Sequence, residues 1–382
     1  MNILPFLRKV KKSFDTHQAL IEVQISKRRL IGNYNEYVKK YPSLSFAPVL
    51  KSNAYGHGLV QVAQCLDHEN SPFFAVDSYF EARALRVGGI RKKILVIGYT
   101  QPENILTSKL GDTAFTITGI EQLKEISRTI TTPLLFHLKI DTGMHRQGIT
   151  EEEVAEAVEI INKNKKIQLE GVCSHFADAD GEDRTFSEGQ VKKWNRAAEI
   201  IKNKLPSIKY FHLSASAGVV YLNNAHSNVV RLGLGLYGIS PSPFLNLDLK
   251  PALKMQSLIA SVKKIMPGDA VGYSLTYRAD KETKVAVVPA GYFEGVDRRL
   301  SNRGFFVVSG KPCPIIGRVS MNITCIDVSE AGKVAAGDPV IIVSDNKEDE
   351  NSVENMAKIA GTIPYEILIH IPQHLKRTVV GG

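Results

Sequence analysis

From about residue 20 onward, the chain repeats one unit, in which a short β-branched or aromatic run is followed by a stretch with helical periodicity. The candidate strands are 46–51, 73–78, 93–99, 113–118, 134–141, 169–176, 210–215 and 229–238. Amphipathic segments lie between most of them, as at 120–130, 151–164 and 188–203. About eight parallel strands alternating with helices predict a (β/α)8 barrel of the TIM type. Because such barrels place their active sites at the C-terminal ends of the strands, we expect function where these runs end.

The character of the sequence changes after Tyr237-Gly238, where PSPFLNLDLKP leads into short runs separated by Gly, Pro and Asp. These runs are SLIASVKKI, KVAVVPAGY, FFVVSGKP, TCIDVS and DPVIIVSD. They predict a mostly β C-terminal domain, and 382 residues are enough for both units. We therefore predict a barrel over residues 1–250 and a β-rich domain over residues 251–382.

The net charge of +9 does not indicate a nucleic-acid partner, because Lys and Arg are dispersed, with short runs only at 8–12 and 163–166. We predict a cytoplasmic protein without a membrane partner. No apolar run approaches the length of a membrane span, and MNILPFLRKVKKSF carries its basic residues after its apolar patch, unlike a secretory signal. The cysteines are scattered, which favours reduced thiols; they are Cys65, Cys173, Cys313 and Cys325.

Lys51 ends the first candidate strand, within VLKSNAYGHG at 49–58. A lysine there can face the barrel mouth, where a partly desolvated amine can react with a carbonyl group. By itself, a lysine at a strand end is more often solvated than catalytic. The other strand ends also carry polar residues, namely Asp141, His175, Ser214 and Arg231.

The stretch APVLKSNAYGHG resembles the alanine racemase family, and further blocks of that family follow in order up to Tyr365. The blocks are HLKIDTGMHRQG, GVCSHFADAD, HLSASAG, VRLGLGLYG, VGYSLTYR, PAGYFEGVDRRL, GRVSMN and IPYEILIHIP. The resemblance implies an isomerase that interconverts L-alanine and D-alanine with pyridoxal 5'-phosphate and supplies D-alanine for peptidoglycan. It also implies a homodimer in which the β domain of one subunit completes the barrel site of the other.

The resemblance assigns most of the site residues in these blocks to binding of the cofactor. Lys51 would carry pyridoxal phosphate through a Schiff base, and Arg146 would orient its phenolic oxygen and the substrate carboxylate. Lys139 matches a lysine that is often carbamylated in the family. The other cofactor residues would be Tyr55, His175, Ser216, Arg231, Gly233, Leu234 and Tyr365. We expect no metal, because neither an HExxH pattern nor a carboxylate cluster accompanies the histidines.

Arg231 says most about the type of reaction, because the resemblance places it at the pyridine nitrogen of the cofactor. Many pyridoxal phosphate enzymes place a carboxylate there, which keeps the nitrogen protonated and makes the ring a strong electron sink. A cationic guanidinium leaves the nitrogen unprotonated, because adjacent positive charges repel. This favours racemisation over transamination and disfavours a decarboxylase of the same general fold.

Racemisation requires removal of a proton on one face of the substrate and delivery of a proton on the other. The resemblance assigns these two faces to Lys51 and Tyr273, with ionisation of Tyr273 helped by hydrogen bonds through His175 to Arg231. Since Tyr273 lies in the β domain, it should act on the barrel of the partner subunit.

Three further residues of the β domain are assigned to the substrate, with Met321 contacting its carboxylate through the backbone amide and Tyr292 and Arg298 lining the entrance. The chain departs from the common family pattern at His145, Ala215 and Asn322. Two alternatives therefore stay open. One is a racemase of broader specificity that accepts serine or basic amino acids, and the other is a non-enzymatic pyridoxal phosphate carrier, a class that typically lacks the β domain.

Overall fold

The apolar runs form a ring of parallel strands in the computed structural model, which describes residues 18–381. After β1 (Ile21–Ser26), the barrel strands are β2 (Ser45–Pro48), β3 (Phe74–Val76), β4 (Ile94–Val96), β5 (Thr113–Ile117), β6 (Leu134–Lys139), β7 (Ile167–Cys173), β8 (Tyr210–His212) and β9 (Val229–Leu232). Strands β3 to β8 pair in chain order, and β2 pairs with β9. Isolated bridges from Val49 to Ala75 and from Ala215 to Arg231 close the ring. The predicted (β/α)8 barrel is confirmed.

Helices cover the outside of the barrel and bury their apolar faces against the strands. They are α1 (Lys27–Lys40), α2 (Leu59–Leu66), α3 (Tyr79–Val87), α4 (Pro102–Leu106), α5 (Ile120–Thr129), α6 (Val154–Lys163) and α7 (Thr185–Lys204). Trp194 of α7 is fully buried, and its indole N–H donates to the carbonyl of His226 at 3.0 Å. Short 3-10 turns at Ala217–Asn224 and Leu234–Tyr237 follow β8 and β9.

A second domain built of sheets follows the barrel, as predicted from the Gly- and Pro-punctuated runs. Its strands are β10 (Leu253–Leu258), β11 (Ser261–Ile265), β12 (Ala270–Val271), β13 (Tyr277–Arg278), β14 (Thr283–Val288), β15 (Phe305–Val308), β16 (Lys311–Pro314), β17 (Thr324–Asp327), β18 (Pro339–Val343) and β19 (Lys376–Val380). Helices α8 (Val353–Ala360) and α9 (Pro364–Ile369) lie between β18 and β19. The largest sheet has the order β16-β15-β18-β10-β1-β19, beside a three-stranded sheet β11-β14-β17 and the hairpin β12-β13.

Strand β1 belongs to this second sheet although it precedes the barrel, pairing antiparallel with β10 and parallel with β19. Its residues alternate between buried and half-buried, which suits a sheet with one covered face. Barrel strands β3 and β4 are instead buried at every position, as a strand covered on both faces requires. The division at residue 250 stays a prediction, but the stretch 21–26 lies in the sheet of the second domain.

Residues 1–17 and 382 lie outside the described part of the chain, so the predictions made for MNILPFLRKVKKSF and for the basic run at 8–12 concern undescribed residues. Within residues 18–381, no helix is both long and apolar enough to cross a membrane. The four cysteines all lie in this part and are unpaired.

Gly238 ends the turn that follows β9, with a φ of 88°, and a Cβ atom there would lie 1.9 Å from the carbonyl oxygen of Lys250. We expect Gly238→Ala to lower the free energy of unfolding by at least about 3 kcal/mol, because left-handed strain adds to this overlap. Gly32→Ala in α1 is the matched control. Nothing lies within 4 Å of its Cβ position, so it should raise stability by about 0.5–1 kcal/mol. Denaturant unfolding followed by circular dichroism measures both, and equal stabilities would contradict the geometry.

Candidate active site

The mouth of the barrel holds two adjoining cavities, of about 370 Å³ and about 620 Å³, at the C-terminal ends of the strands. Lys51, Ile97, His175 and Arg231 line both cavities, which therefore form one basin. Its position is the one that the barrel prediction requires. Its volume is that of an ordinary small-molecule site.

Lys51 enters this basin from a strained turn directly after β2. Ser52, Asn53, Ala54 and Tyr55 all have φ between 51° and 55°. Non-glycine residues rarely adopt this left-handed conformation, and consecutive ones need support from elsewhere in the fold. Glu81 supplies that support, since one carboxylate oxygen accepts from the Ser52 N–H at 2.6 Å and the other from the Asp77 N–H at 2.8 Å. The turn brings both Lys51 and Tyr55 to the basin.

Arg231 lies at the floor of the basin and is almost fully buried. Its Nη1 donates to His212 Nδ1 at 2.8 Å, and its Nη2 donates to the Ser174 carbonyl at 2.7 Å and to His175 Nδ1 at 3.0 Å. Arg231 lines both cavities, and its hydrogen bonds within residues 18–381 use Nη1 and Nη2 only, which leaves the Nε–H available to a ligand. Because a guanidinium can only donate, His175 accepts on Nδ1 and carries its proton on Nε2. Burial, together with the charge of Arg231, lowers the pKa of His175 to about 3, so this ring is neutral.

The smaller cavity has a strongly basic lining, formed by Lys51, Lys139, Arg146 and Arg231. The amine of Lys139 is half-buried and donates to Gln147 Oε1 at 3.3 Å. Burial, together with the charges of Arg231 and Arg146, lowers the pKa of Lys139, and the neutral form of an amine is its nucleophilic form. This part of the basin suits a carboxylate or another small anion.

The larger cavity has a floor of hydroxyl groups and backbone amides. The Gly233 N–H donates to Ser216 Oγ at 2.8 Å, and a Cβ atom on Gly233 would lie 2.9 Å from the hydroxyl of Tyr55. Leu234 and Tyr365 line the same cavity, and the ring of Tyr365 lies 5.6 Å from that of Tyr55 between centroids. Backbone amides and hydroxyls converging where a side chain would not fit form a cradle for an oxyanion.

The predicted residues of the second domain come together at a different place. Tyr273, Tyr292, Arg298 and Met321 line a cavity of about 610 Å³ that shares no lining residue with the barrel basin. Tyr273 is 72% exposed and Met321 is 56% exposed. Within one chain, the structure therefore collects the predicted cofactor residues at the barrel and leaves the predicted second base in a separate surface cavity.

The three departures from the family pattern have different surroundings. The side chain of His145 is 85% exposed and lines neither cavity of the basin. Ala215 lines the larger cavity with a methyl group, which forms no hydrogen bond. Asn322 donates from Nδ2 to Glu294 Oε1 at 2.7 Å, so a buried carboxylate lies next to this position.

Among the residues lining the smaller cavity that sequence reasoning missed are Asp77, Tyr99 and Gln147. Asp77 directly follows β3, and Tyr99 comes shortly after β4. The rule that drew attention to Lys51, a polar residue at the end of a barrel strand, could have found both. Gln147 lies within the block HLKIDTGMHRQG, directly after Arg146, which the resemblance assigns to the site.

Two family models match the chain. That described as alanine racemase, N-terminal domain, matches residues 25–241, and that described as alanine racemase, C-terminal domain, matches residues 252–379. The chain is 37% identical to an alanine racemase of Carboxydothermus hydrogenoformans over 94% of this chain and 98% of that protein. It is 36% identical to the alanine racemase of Aquifex pyrophilus, with the same coverage. Among solved structures, an alanine racemase of Clostridium difficile 630 superimposes with a TM-score of 0.88 at 30% identity, covering 96% of this chain and 97% of that one.

Proposed function

The chain belongs to the alanine racemase family over nearly its whole length, and from this premise we propose that it interconverts L-alanine and D-alanine with pyridoxal 5'-phosphate. One observation carries the proposal. The free Nε–H of Arg231 and the amine of Lys51 belong to one basin, where the first suits the ring nitrogen of this cofactor and the second its aldehyde carbon. Bound pyridoxal phosphate supplies the electron sink that makes the Cα–H bond of an attached amino acid acidic.

The residues of the basin fit this cofactor at its three polar ends. Ser216, Tyr55 and the backbone of Gly233 and Leu234 would hold the phosphate group, with Tyr365 at the rim. Arg231 would donate a hydrogen bond to the ring nitrogen and keep its proton, because a guanidinium stays protonated. Lys51 would hold the cofactor covalently.

We expect Gly233→Ala to weaken binding of pyridoxal phosphate by at least about tenfold, because the added methyl would lie 2.9 Å from the Tyr55 hydroxyl and narrow the cradle. Titration of cofactor-free protein, followed by the change in cofactor absorbance, measures the affinity. Gly189→Ala on α7 is the control, since nothing lies within 4 Å of its Cβ position. Equal affinities of both variants and the wild type would contradict a phosphate cradle at Gly233.

Arg146 and Lys139 would act at the carboxylate end of the substrate. The planar fork of Arg146 can bind a carboxylate at two oxygens. A carbamate on Lys139 would set an anion beside Arg146 and fix its orientation. The lowered pKa of Lys139 supports this modification, because the neutral amine is the form that adds carbon dioxide.

For the Lys139 carbamate, we expect intact bicarbonate-equilibrated crystals to show a carbamate group on the Lys139 side chain. Lys139→Ala should raise the KM for alanine by about tenfold, since Arg146 loses its orienting partner. Activity of this variant should recover in part with added acetate or chloride, which can replace the anion. A free amine on Lys139 in such crystals, with an unchanged KM in Lys139→Ala, would contradict this role.

We further propose that the site is shared between two copies of the chain, with Tyr273 of one copy reaching the basin of the other. Three observations support this: the high exposure of Tyr273, its separate cavity, and a group of exposed apolar side chains around it. That group comprises Tyr273, Leu275, Tyr292, Phe293, Met321 and Ile323. Lys51 would then move the proton on one face of the substrate Cα and Tyr273 on the other.

The hydrogen-bonding of His175 favours this arrangement of bases. The neutral His175 offers an Nε2–H that can donate to the oxygen of Tyr273 and so stabilise its ionised form. The backbone amide of Met321 would contact the substrate carboxylate, while Tyr292 and Arg298 would line the entrance. A monomer would therefore bind pyridoxal phosphate and lack its second base.

The test of the proposed activity is racemisation by the purified protein loaded with pyridoxal phosphate. Starting from either enantiomer of alanine, the reaction should approach the same equal mixture of L- and D-alanine, measured by chiral chromatography. Serine and basic amino acids are assayed in parallel, because Ala215 and Asn322 leave the substrate range open. Turnover of those amino acids but not alanine would favour a racemase of other specificity. Covalent cofactor binding without any turnover would favour a carrier.

We extend the proposal to a cytoplasmic enzyme that supplies D-alanine for peptidoglycan. This extension rests on membership of the family.

A further inference from the structure

A line of buried polar side chains runs through the barrel interior behind Arg231, away from the basin. Arg231 Nη1 lies 2.8 Å from His212 Nδ1, and His212 Nε2 lies 2.7 Å from His137 Nδ1. His137 Nε2 then lies 3.5 Å from Glu170 Oε1. Both histidines are fully buried. The line ends at Lys93, whose Nζ lies 2.5 Å from Glu170 Oε2 and which directly precedes β4, at the opposite end of the barrel from the basin.

The chemistry of the groups fixes the direction of every hydrogen bond in this line. Arg231 can only donate, so His212 must accept on Nδ1 and carry its proton on Nε2. That proton is donated to His137, which must accept on Nδ1 and carry its own proton on Nε2. A protonated His137 would set its Nδ1–H against the Nε2–H of His212, so His137 must be neutral. The line is therefore a one-way series of donors from Arg231 to His137, whose Nε2–H faces Glu170 Oε1 at 3.5 Å.

Glu170 is the acceptor at which this series ends. Its Oε1 and the Nε2 of His137 face each other at 3.5 Å, and both are buried without a hydrogen-bond partner among residues 18–381, so each is the polar group placed to satisfy the other. The other neighbours of the His137 ring are aromatic: Phe73 lies edge-on at 5.5 Å and Tyr210 stacks at 5.8 Å, measured between ring centroids. Neither aromatic ring accepts a hydrogen bond as well as a carboxylate does. Burial opposes ionisation of Glu170, but the proximity of His137 and the hydrogen bond from Lys93 lower its pKa overall.

We propose that Glu170 is a positioning residue of the racemase site, which fixes both His137 and His212 as Nε2–H tautomers and thereby keeps the guanidinium of Arg231 in its donating orientation. The inference rests on the proposed role of Arg231 at the ring nitrogen of pyridoxal phosphate. Nothing in it requires Glu170 to touch cofactor or substrate.

The exchange Glu170→Gln tests the proposal with almost no change in shape. The ammonium of Lys93 would hold the amide oxygen, so the amide NH2 would face His137 Nε2. His137 would then accept on Nε2 and carry its proton on Nδ1, against the Nε2–H of His212. We expect kcat for alanine racemisation to fall by about tenfold or more, which is the loss typical of residues that orient a functional side chain through hydrogen bonds.

The double variant Lys93→Met with Glu170→Gln is the matched rescue. Without the ammonium, the amide can turn its oxygen toward His137 and restore the direction of the series. Its kcat should return to within about threefold of that of Lys93→Met alone. A purely structural role for Glu170 predicts the opposite result, in which the double variant is at least as impaired as Glu170→Gln.

The tautomers themselves are read from ring ¹⁵N shifts of labelled histidine, with and without bound pyridoxal phosphate, assigned from His137→Gln and His212→Gln variants. This readout does not depend on racemase activity, so it separates failure of the inference from failure of the proposed function. Wild-type protein should show both rings protonated on Nε2, and Glu170→Gln should move the proton of His137 to Nδ1. An Nδ1–H on either ring of the wild type, or unchanged shifts in Glu170→Gln, would overturn the proposal.

Discussion

Lys51→Ala is expected to abolish racemisation, with a fall of roughly 10⁴-fold in kcat for both enantiomers, because the variant loses the covalent hold on the cofactor and one of two bases. The basin keeps its other cofactor residues, so pyridoxal phosphate should still bind, but reversibly. Two measurements check this. Chiral analysis reports the rate, and reduction with borohydride followed by peptide mass spectrometry reports whether the cofactor is attached.

The control for Lys51→Ala is Lys333→Ala, which removes an exposed lysine of the second domain. This control should keep wild-type activity, and its cofactor should be trapped on Lys51 by borohydride. Retention of more than about a tenth of the activity in Lys51→Ala would rule out Lys51 as a base, since general bases contribute at least about a hundredfold.

Tyr273→Phe is expected to lower kcat/KM for racemisation by roughly 10²- to 10⁴-fold, the usual contribution of a positioned acid or base. The fall must be equal in the two directions, because the equilibrium between enantiomers does not change. Exchange of the Cα hydrogen with deuterated solvent should show an asymmetry, however. One enantiomer should still exchange without inversion through Lys51, while the other should lose exchange.

Tyr277→Phe is the matched control for Tyr273→Phe, because Tyr277 lies in the neighbouring strand β13 but does not line the cavity that contains Tyr273. It should racemise alanine at close to the wild-type rate. Retained solvent exchange for both enantiomers in Tyr273→Phe would point to Lys51 as the single base, and loss of exchange for both would contradict independent action of Lys51 on one face.

The barrel could be predicted because its strands are buried on both faces and so read as continuous apolar runs. Strand β1 was not identified, since its alternating residues fit any half-covered sheet and its partners, β10 and β19, lie more than 200 residues away. Some strands were predicted to end later than they do, at positions where the backbone turns into the site. The run 229–238 ends as a strand at Leu232, because Gly233 leaves the extended conformation and the 3-10 turn Leu234–Tyr237 follows.

The site could be predicted only in part, and through the family resemblance more than through pattern. The left-handed turn after Lys51 is held by the carboxylate of Glu81, which lies in α3. Nothing in the sequence near Lys51 indicates this contact. In the sequence, Glu170 and His137 look like ordinary residues of core strands. They line up with Arg231 only when β6, β7 and β8 pair in register and the bridge from Ala215 to Arg231 adds β9. Long-range pairing of this kind is a property of the folded barrel.

The central claim is that each active site combines Lys51 of one chain with Tyr273 of another, and mixed dimers test it most directly. Lys51→Ala and Tyr273→Phe chains, each inactive alone, are co-expressed with different affinity tags, and the hybrid is isolated through both tags. In the hybrid, one barrel has an intact Lys51 and faces an intact Tyr273, while the other site lacks both. If the sites are shared between chains, the hybrid should have about half of the wild-type activity, because one of its two sites is restored. A hybrid as inactive as its parents would show that the two residues act within one chain, or not together, and would contradict the claim.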